Sequence, residues 1–183
     1  MLDRCFDHLK DRDIILFSSY VWNENISLAI AKKLKEFDKN KFIIFGGPSV
    51  PDNVFGKAEE YLKKNNFIDV LVHQEGERTI LKLLDEYPNN KLHETPNISY
   101  FKNKIFKNNK NLPRLKEFEK VPSPYLTGIF DDIIAENPNE RWLASWETNR
   151  GCPFSCTYCD WGSATNSKVA RMHLDRVYDE LDW

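Results

Sequence analysis

The sequence predicts an α/β fold built around a parallel sheet. Three short and continuously apolar runs, DIILFS (13–18), KFIIF (41–45) and IDVLV (68–72), indicate strands that are buried on both faces. Amphipathic segments of helical period separate these runs, so that strand and helix alternate along the chain. This alternation predicts parallel strands with helices packed on both faces of the sheet.

Each predicted helix carries its apolar residues on one face. In NENISLAIAKKLKEF (23–37) apolar side chains recur at helical spacing with lysines opposite, and Asn23 or Asn25 can cap the first turn. Residues 53–64 and 77–86 repeat the pattern. The charged opening segment, MLDRCFDHLKDRD, has the pattern of the end of a helix, and three strands are few for a sheet of this kind.

The second half of the chain has a different character. The alternating segment NISYFKNKIFKNNKNLPR (97–114) predicts a hairpin around Asn103. VPSPYLTGIFDD (121–132) is interrupted by prolines and predicts irregular structure. RWLASWET (141–148) alternates again and predicts a strand that leads into a cysteine-rich loop, and LDRVYDELDW (174–183) predicts the start of a helix.

Composition and charge exclude several classes of function. Lys and Arg total 26 against 28 Asp and Glu in 183 residues, so the net charge is -2 and the basic footprint of a nucleic-acid-binding protein is absent. The charged N-terminus is not a signal peptide, and the apolar runs are too short to span a membrane. We therefore expect a cytoplasmic protein, in whose reducing environment clustered cysteines bind metal more often than they form disulfides.

Three of the four cysteines, Cys152, Cys156 and Cys159, lie close together in GCPFSCTYC with the spacing C-x₃-C-x₂-C. A structural zinc site takes four ligands, usually as two pairs, and neither the distant Cys5 nor His173 completes a common zinc pattern. A disulfide would leave one cysteine over. An iron–sulfur cluster with three protein thiolates fits better, and its fourth iron would stay open to substrate.

The pattern CPFSCTYC resembles that of the radical S-adenosylmethionine (SAM) superfamily. The resemblance implies that Cys152, Cys156 and Cys159 hold a four-iron, four-sulfur cluster whose open iron is chelated by SAM. It also implies reductive cleavage of SAM to a 5′-deoxyadenosyl radical. Tyr158 would lie beside the adenine, or else serve as a packing aromatic. The strand at 141–148 would open a (β/α) barrel and place the cysteine loop at its C-terminal face.

The N-terminal segments resemble the last three strands of a cobalamin-binding Rossmann-like domain. In that family the strand ends carry a Ser-rich loop, a Gly-Gly loop and a G-E-G-E-like loop, and these positions follow the carboxyl ends of parallel strands, where open α/β sheets bind ligands. Gln74 stands here where a Gly is common. The resemblance implies that the following residues contact cobalamin: Ser18, Ser19, Gly46, Gly47, Glu75 and Gly76.

Together these features predict the organisation of the chain. Residues 1–88 are interpreted as the C-terminal part of a Rossmann-like parallel-sheet cobalamin-binding domain, 89–140 as a linker with a hairpin, and 141–183 as the first βα unit of a radical SAM barrel. The D-x-H-x-x-G signature, whose histidine ligates cobalt in many cobalamin domains, is absent, and His8 in DHLK is interpreted as a surface residue. Cobalamin is not excluded by this, because many members of this branch lack that histidine. His73 and His93 are interpreted as structural or solvent-facing.

Three functional hypotheses follow. The first is a cobalamin-dependent radical SAM enzyme that cleaves SAM at its cluster, with methyl transfer to carbon as one expected reaction. The second is a radical SAM enzyme whose Rossmann-like domain no longer binds cobalamin, and the third is a non-catalytic iron–sulfur or metal-binding module. For either enzyme we expect a small-molecule substrate and an electron donor as partners, neither nucleic acid nor membrane, and no turnover by this segment alone.

Overall fold

The structure is a computed structural model that describes residues 2–89, 91–115, 120–154, 156–158 and 169–183. The chain divides into two compact units, Met1–Arg114 and Leu115–Trp183, called here unit 1 and unit 2. No helix among the described residues is both long and apolar enough to cross a bilayer.

Unit 1 alternates helices and strands as the sequence predicts. Its helices are α1 Leu2–Leu9, α2 Glu24–Phe37, α3 Lys57–Lys64 and α4 Gly76–Glu86. Its strands are β1 Ile14–Ser18, β2 Phe42–Gly46, β3 Val70–Val72, β4 Ile98–Lys102 and β5 Ile105–Asn108. Short 3₁₀ turns occupy Val54–Gly56, Tyr87–Asn89 and Leu92–Glu94. The three apolar runs and the amphipathic segments between them thus form the expected elements.

The five strands of unit 1 form one sheet in the order β1-β2-β3-β4-β5. The first three are parallel, with Ile14 opposite Phe42 and Ile44 opposite Val70. The three predicted strands are parallel as expected, but the sheet is mixed, because the hairpin that the sequence assigned to a linker adds β4 and β5 to β3 in antiparallel orientation. The predicted hairpin supplies these two strands, and they cover an edge of β3 that would otherwise expose unpaired backbone groups.

The turn of this hairpin has a defined backbone conformation. Asn103 and Lys104 both adopt positive φ angles, 51° and 64°, between the ends of β4 and β5. Two consecutive residues with positive φ form the tight turn whose twist matches that of antiparallel strands. The hairpin predicted around Asn103 therefore turns at Asn103 and Lys104.

The core of unit 1 lies on both faces of the sheet. Side chains of successive strand residues point to opposite faces. One face packs Ile43, Phe45 and Leu71 against buried residues of α2 and α3, including Leu34 and Leu62. The opposite face is built from residues of β2, β3, β4 and α4: Phe42, Ile44, Val70, Val72, Leu83, Ile98 and Tyr100. Burial on both sides explains why β2 and β3 are continuously apolar. The edge strand β1 differs from the prediction, because its Leu16 side chain is 47% exposed.

Unit 2 differs from the sequence prediction at its expected strand. Residues 141–147 carry no regular secondary structure, and the strand predicted at 141–148 is wrong. The short strand β6 Asn149–Arg150 follows instead, antiparallel to β7 Ala170–Arg171. A strand needs a neighbour to pair its backbone groups, and alternation of apolar residues alone does not supply one. The helices of unit 2 are α5 Asp131–Glu136 and α6 Leu174–Asp182, the second as predicted.

Candidate functional site

The carboxyl ends of β1, β2 and β3 lie at one edge of the sheet, because the three strands are parallel and adjacent. The first two loops at this edge are joined by backbone hydrogen bonds. The Ser19 amide donates to the Gly46 carbonyl at 2.7 Å, and the Ser49 amide donates to the Ser19 carbonyl at 3.0 Å. The serine pair and the glycine pair singled out from the sequence are therefore parts of one packed cluster.

Ser19 is the most enclosed residue of this cluster. Its exposed fraction is 0%. The hydroxyl oxygen has no hydrogen-bond partner among the described residues. A buried hydroxyl without a partner costs free energy, and a polar ligand group that reached it would recover that cost. Ser18, its neighbour, is exposed at the end of β1.

Gly47 and Gly46 have different surroundings. Gly47 has a φ of 98°, and a Cβ added there would lie 2.7 Å from the Ser19 carbonyl oxygen and 2.9 Å from its nitrogen. A Cβ on Gly46 would lie 3.6 Å from the Val72 Cβ, an ordinary contact. The close backbone approach that glycine permits at position 47 is thus an approach to the neighbouring loop. Contact of either glycine with a cofactor stays a prediction.

The third loop leads into the N-terminus of α4. Gln74 is exposed and has a φ of 61°, the left-handed conformation that glycine adopts without strain. Glu75 is the extended residue that precedes the helix, and Gly76 is the first helical residue. The Arg114 Nε atom lies 3.5 Å from the Glu75 Oε1 atom, and Arg78 donates a hydrogen bond to the Pro113 carbonyl at 2.6 Å. These contacts hold residues 113–114 against the loop that precedes α4.

His73, at the end of β3, is buried and hydrogen-bonded. Its Nε2 atom lies 2.7 Å from the Ser99 hydroxyl, which lies 2.7 Å from the Asn108 side-chain oxygen. Because the hydroxyl gives its single hydrogen to Asn108, the His73 Nε2–H is the donor of the first bond. Burial lowers the pKa of His73, against the opposing charge of Asp52. His73 is thus structural and His93 is exposed, both as predicted.

Two exposed aromatic residues near the same edge escaped the sequence analysis. Trp22, in the loop after β1, is 74% exposed and stacks on Tyr20 with ring centroids 4.6 Å apart. Phe55, in the loop after β2, is 92% exposed and has a φ of 54°. Contiguous exposed apolar patches mark ligand or partner surfaces, whereas single exposed apolar side chains are common on proteins. Trp22 lies four residues after the predicted strand at 13–18, and this position was a signal that could have identified it, whereas Phe55 lies ten residues after the strand predicted at 41–45 and gave no such signal.

The cysteine loop is described only in part. Cys152 is half-buried, Cys156 is exposed, and neither forms a disulfide. Cys159 lies outside the described residues, so the three-thiolate metal site is not tested. Among the residues that are described, no group of three His, Cys, Asp or Glu side chains forms a metal site. Tyr158, the predicted adenine neighbour, is 90% exposed. Cys5 is half-buried and packs against the core of unit 1.

The base of the cysteine loop is a short antiparallel ladder. Asn149 pairs with Arg171 and Arg150 pairs with Ala170, and the Met172 amide donates to the Thr148 carbonyl at 3.0 Å. Met172 is buried. Gly151, with a φ of 111°, turns the chain away from β6 into the loop. The ladder therefore holds the two ends of the cysteine-bearing segment side by side.

A buried carboxylate on α6 is bound to the segment that precedes this ladder. The Glu180 side chain is 1% exposed and accepts hydrogen bonds from Trp146 Nε1 at 2.7 Å and Arg176 Nε at 2.8 Å. Arg176 also donates to the Val121 carbonyl. Burial acts to raise the pKa of Glu180, but hydrogen bonds from Ser123, Arg176 and Trp146 outweigh it and hold the pKa below its ordinary value. Glu180 is therefore ionised at neutral pH.

An open pocket of about 480 Å³ lies against the ladder and α6. Its walls include apolar side chains such as Trp146, Pro153 and Val177, together with the polar Asn149 and Arg171. Pro153 follows the first cysteine directly, so this pocket adjoins the start of the cysteine loop.

An α/β unit with a ligand edge, followed by a three-cysteine motif, is the arrangement expected of cobalamin-binding radical SAM proteins, and comparison with known proteins supports that class. No profile of a described protein family matches the chain. The cobalamin-dependent radical SAM methyltransferase TokK of Streptomyces tokunonensis is 37% identical over 186 residues, which is 97% of this chain and 26% of TokK. A 2-(S-pantetheinyl)-carbapenam-3-carboxylate methyltransferase of Streptantibioticus cattleyicolor is 35% identical over 96% of this chain and 26% of its own length.

Among solved structures, part of the enzyme OxsB has the same fold as this chain. OxsB, a cobalamin-dependent S-adenosylmethionine radical enzyme solved with aqua-cobalamin and S-adenosylmethionine bound, matches with a TM-score of 0.73 at 22% identity. Its apo form matches with a TM-score of 0.75 at 24% identity. Both matches cover 100% of this chain, and about a quarter of OxsB.

The predicted resemblance is confirmed: the relatives of this chain include the cobalamin-dependent radical SAM methyltransferase TokK. The chain spans about a quarter of the length of the curated relatives it matches. Unit 1 is an α/β domain with a mixed sheet, and the chain shares its fold with part of OxsB. The radical SAM barrel that the sequence predicted from residue 141 onward stays a prediction.

Proposed function

We propose that this chain belongs to a cobalamin-dependent radical SAM enzyme that transfers a methyl group to a small molecule. The observation that carries the proposal is the C-x₃-C-x₂-C motif, placed after an α/β unit in a chain 37% identical to TokK. Relatives named as methyltransferases support the reaction type. An electron donor for the cluster is the partner that such a reaction requires.

The edge formed by β1, β2 and β3 is the proposed cobalamin site. Its polar contacts would come from Ser18, Glu75 and the unpartnered hydroxyl of Ser19, and its apolar contacts from Trp22. A buried orphan hydroxyl beside an exposed aromatic stack suits a large ligand that is apolar on its face and polar at its rim. Gly46, Gly47 and Gly76 would shape the loops that carry these side chains.

The cysteine loop is the proposed cluster site, with Cys152, Cys156 and Cys159 as its three thiolate ligands. When bound, the cluster would supply one electron for cleavage of SAM, and cobalamin would carry the methyl group. Three protein thiolates leave one coordination position for the amine and carboxylate of SAM. The exposed Tyr158 ring is available to pack against the adenine.

Anaerobic reconstitution with iron and sulfide tests the cluster. We expect about four irons per chain and a brown charge-transfer absorption that disappears in Cys156→Ala, because the remaining thiolates hold the cluster poorly. Cys5→Ser is the matched control and should retain both signals, since Cys5 packs against the core of unit 1. One tightly bound zinc with no iron would contradict the proposal.

One observation favours a second candidate, a radical SAM enzyme without cobalamin. Ser19 is fully buried, and Gly47 is occupied by contact with the Ser19 backbone, so this part of the predicted cofactor edge is filled by protein. Cobalt content separates the two candidates. If the cobalamin-dependent candidate is correct, protein purified with cobalamin supplied should contain about one cobalt per chain. Iron without cobalt would favour the candidate without cobalamin.

A further inference from the structure

We infer that Glu180 is a positioning residue that fixes the base of the cysteine loop in the register needed for cluster binding. The inference rests on the proposed function in one respect, namely that the three cysteines bind a cluster. It assigns a role to a carboxylate on α6 that is distant in sequence from the cysteines and is not a metal ligand.

The segment that leads into the ladder is held by side-chain hydrogen bonds. Residues 141–147 have no regular secondary structure, so no backbone ladder fixes their path toward β6. Trp146 lies two residues before Thr148, whose carbonyl accepts the Met172 amide. The indole N–H of Trp146 is bound to Glu180 at 2.7 Å. The neighbouring Ser145 carbonyl accepts a second hydrogen bond, from the Tyr125 hydroxyl.

The Glu180 carboxylate accepts from three donors among the described residues. Oε2 accepts from Trp146, Oε1 accepts from Arg176 one turn earlier on α6, and the Ser123 hydroxyl donates a further hydrogen bond. Arg176 continues to the Val121 carbonyl. One buried group thus ties α6 to the segment before the cysteine loop and to the chain near Val121.

The free-energy cost of burying a carboxylate favours a single arrangement of these groups. A buried carboxylate is tolerated only when charged and hydrogen-bonded partners replace its lost hydration. Removal of one donor leaves the other partners imperfectly satisfied, so the three groups act as a unit. Such a unit has one preferred geometry, and that geometry sets where Trp146, and with it the start of the ladder, lies against α6. Glu180 therefore acts as a positioning residue and does not merely fill space in the core.

Two variants and one control test the inference in the full protein. Glu180→Gln keeps the shape of the side chain but removes its charge, and Trp146→Phe keeps the ring but removes the N–H donor. Asp179→Asn removes a charge from an exposed acid on the same helix. Amide hydrogen exchange in the metal-free protein, with β2 and β3 as internal reference, reports whether the ladder opens and whether the rest stays folded.

We expect exchange of the Met172 amide to rise about tenfold in Glu180→Gln and in Trp146→Phe, with the reference amides unchanged. After reconstitution, iron per chain should fall to less than about half in both variants, and the electron paramagnetic resonance spectrum of the reduced cluster should broaden, because the thiolates no longer have one arrangement. Asp179→Asn should match the wild type in all three measurements.

Unchanged exchange, iron content and spectrum in both variants would overturn the inference. A failure of the proposed function looks different, because the wild-type protein would then bind no iron. In that case the cluster-positioning role falls with it, although the exchange result in the metal-free protein would still show whether Glu180 holds the ladder closed.

Discussion

Gly46 and Gly47 are adjacent in the chain but differ in what a side chain would meet. We expect Gly47→Ala to lower the free energy of unfolding by about 2 kcal/mol or more, because its Cβ would overlap the Ser19 backbone at 2.7 Å and its φ of 98° is strained for alanine. Gly46→Ala, whose Cβ meets Val72 at 3.6 Å, should cost less than about 1 kcal/mol. Urea unfolding measures both, and equal costs would contradict the packing described here.

At the same scale, the sequence identified the loop residues but not their exposure. Ser18 and Ser19 are alike in sequence, yet one is exposed and the other is fully buried. The difference arises because the loop after β2 closes over Ser19, and loop packing of this kind is not encoded in any local pattern. Gln74 shows the reverse: its departure from a common glycine was visible in the sequence, and its positive φ explains why glycine suits that position.

At the scale of elements, β3, β4 and β5 are connected by the hydrogen bonds of His73, Ser99 and Asn108. Since burial holds the pKa of His73 below 6.5, the unfolded chain takes up a proton at higher pH than the folded chain does. Above about pH 6.5 both states are neutral at this residue. As the pH falls below that value, the free energy of unfolding decreases, by at most about 1.4 kcal/mol per pH unit.

His73→Gln should remove this part of the pH dependence, so that the stability difference between wild type and variant narrows between pH 7 and about pH 5.5. His93→Gln, a change at an exposed histidine, is the matched control and should leave the slope unchanged. Urea midpoints at a series of pH values measure the effect. A constant difference between wild type and His73→Gln across that range would show that His73 is not held neutral by burial.

Elements of unit 1 could be predicted because their signals are local. Continuous apolar runs and helical periodicity depend only on which side of each segment is buried. The addition of β4 and β5 to β3 could not be predicted, because strand pairing joins residues far apart in sequence. The strand expected at 141–148 failed for the same reason: alternation indicates a pleated segment only where a partner strand is present.

At the scale of the whole molecule, the two functional candidates differ in whether the carboxyl ends of β1, β2 and β3 bind cobalamin. Trp22 is the only tryptophan before residue 115 in the sequence and lies at that edge. We expect Trp22→Ala to weaken cobalamin binding by about tenfold, because a large apolar contact is lost. Trp142→Ala, in unit 2, should leave the affinity unchanged. Equilibrium dialysis with cobalamin measures both, and wild-type affinity in Trp22→Ala would place the cofactor elsewhere.

The ladder between Asn149–Arg150 and Ala170–Arg171 also has an entropic consequence for metal binding. A segment that folds around a metal must lose the freedom of its two ends, and this cost grows with the logarithm of loop length. Here the ends are already held together by backbone hydrogen bonds. If the three cysteines bind a cluster as proposed, part of this closure cost is already met before iron binds, which favours assembly at low iron concentration.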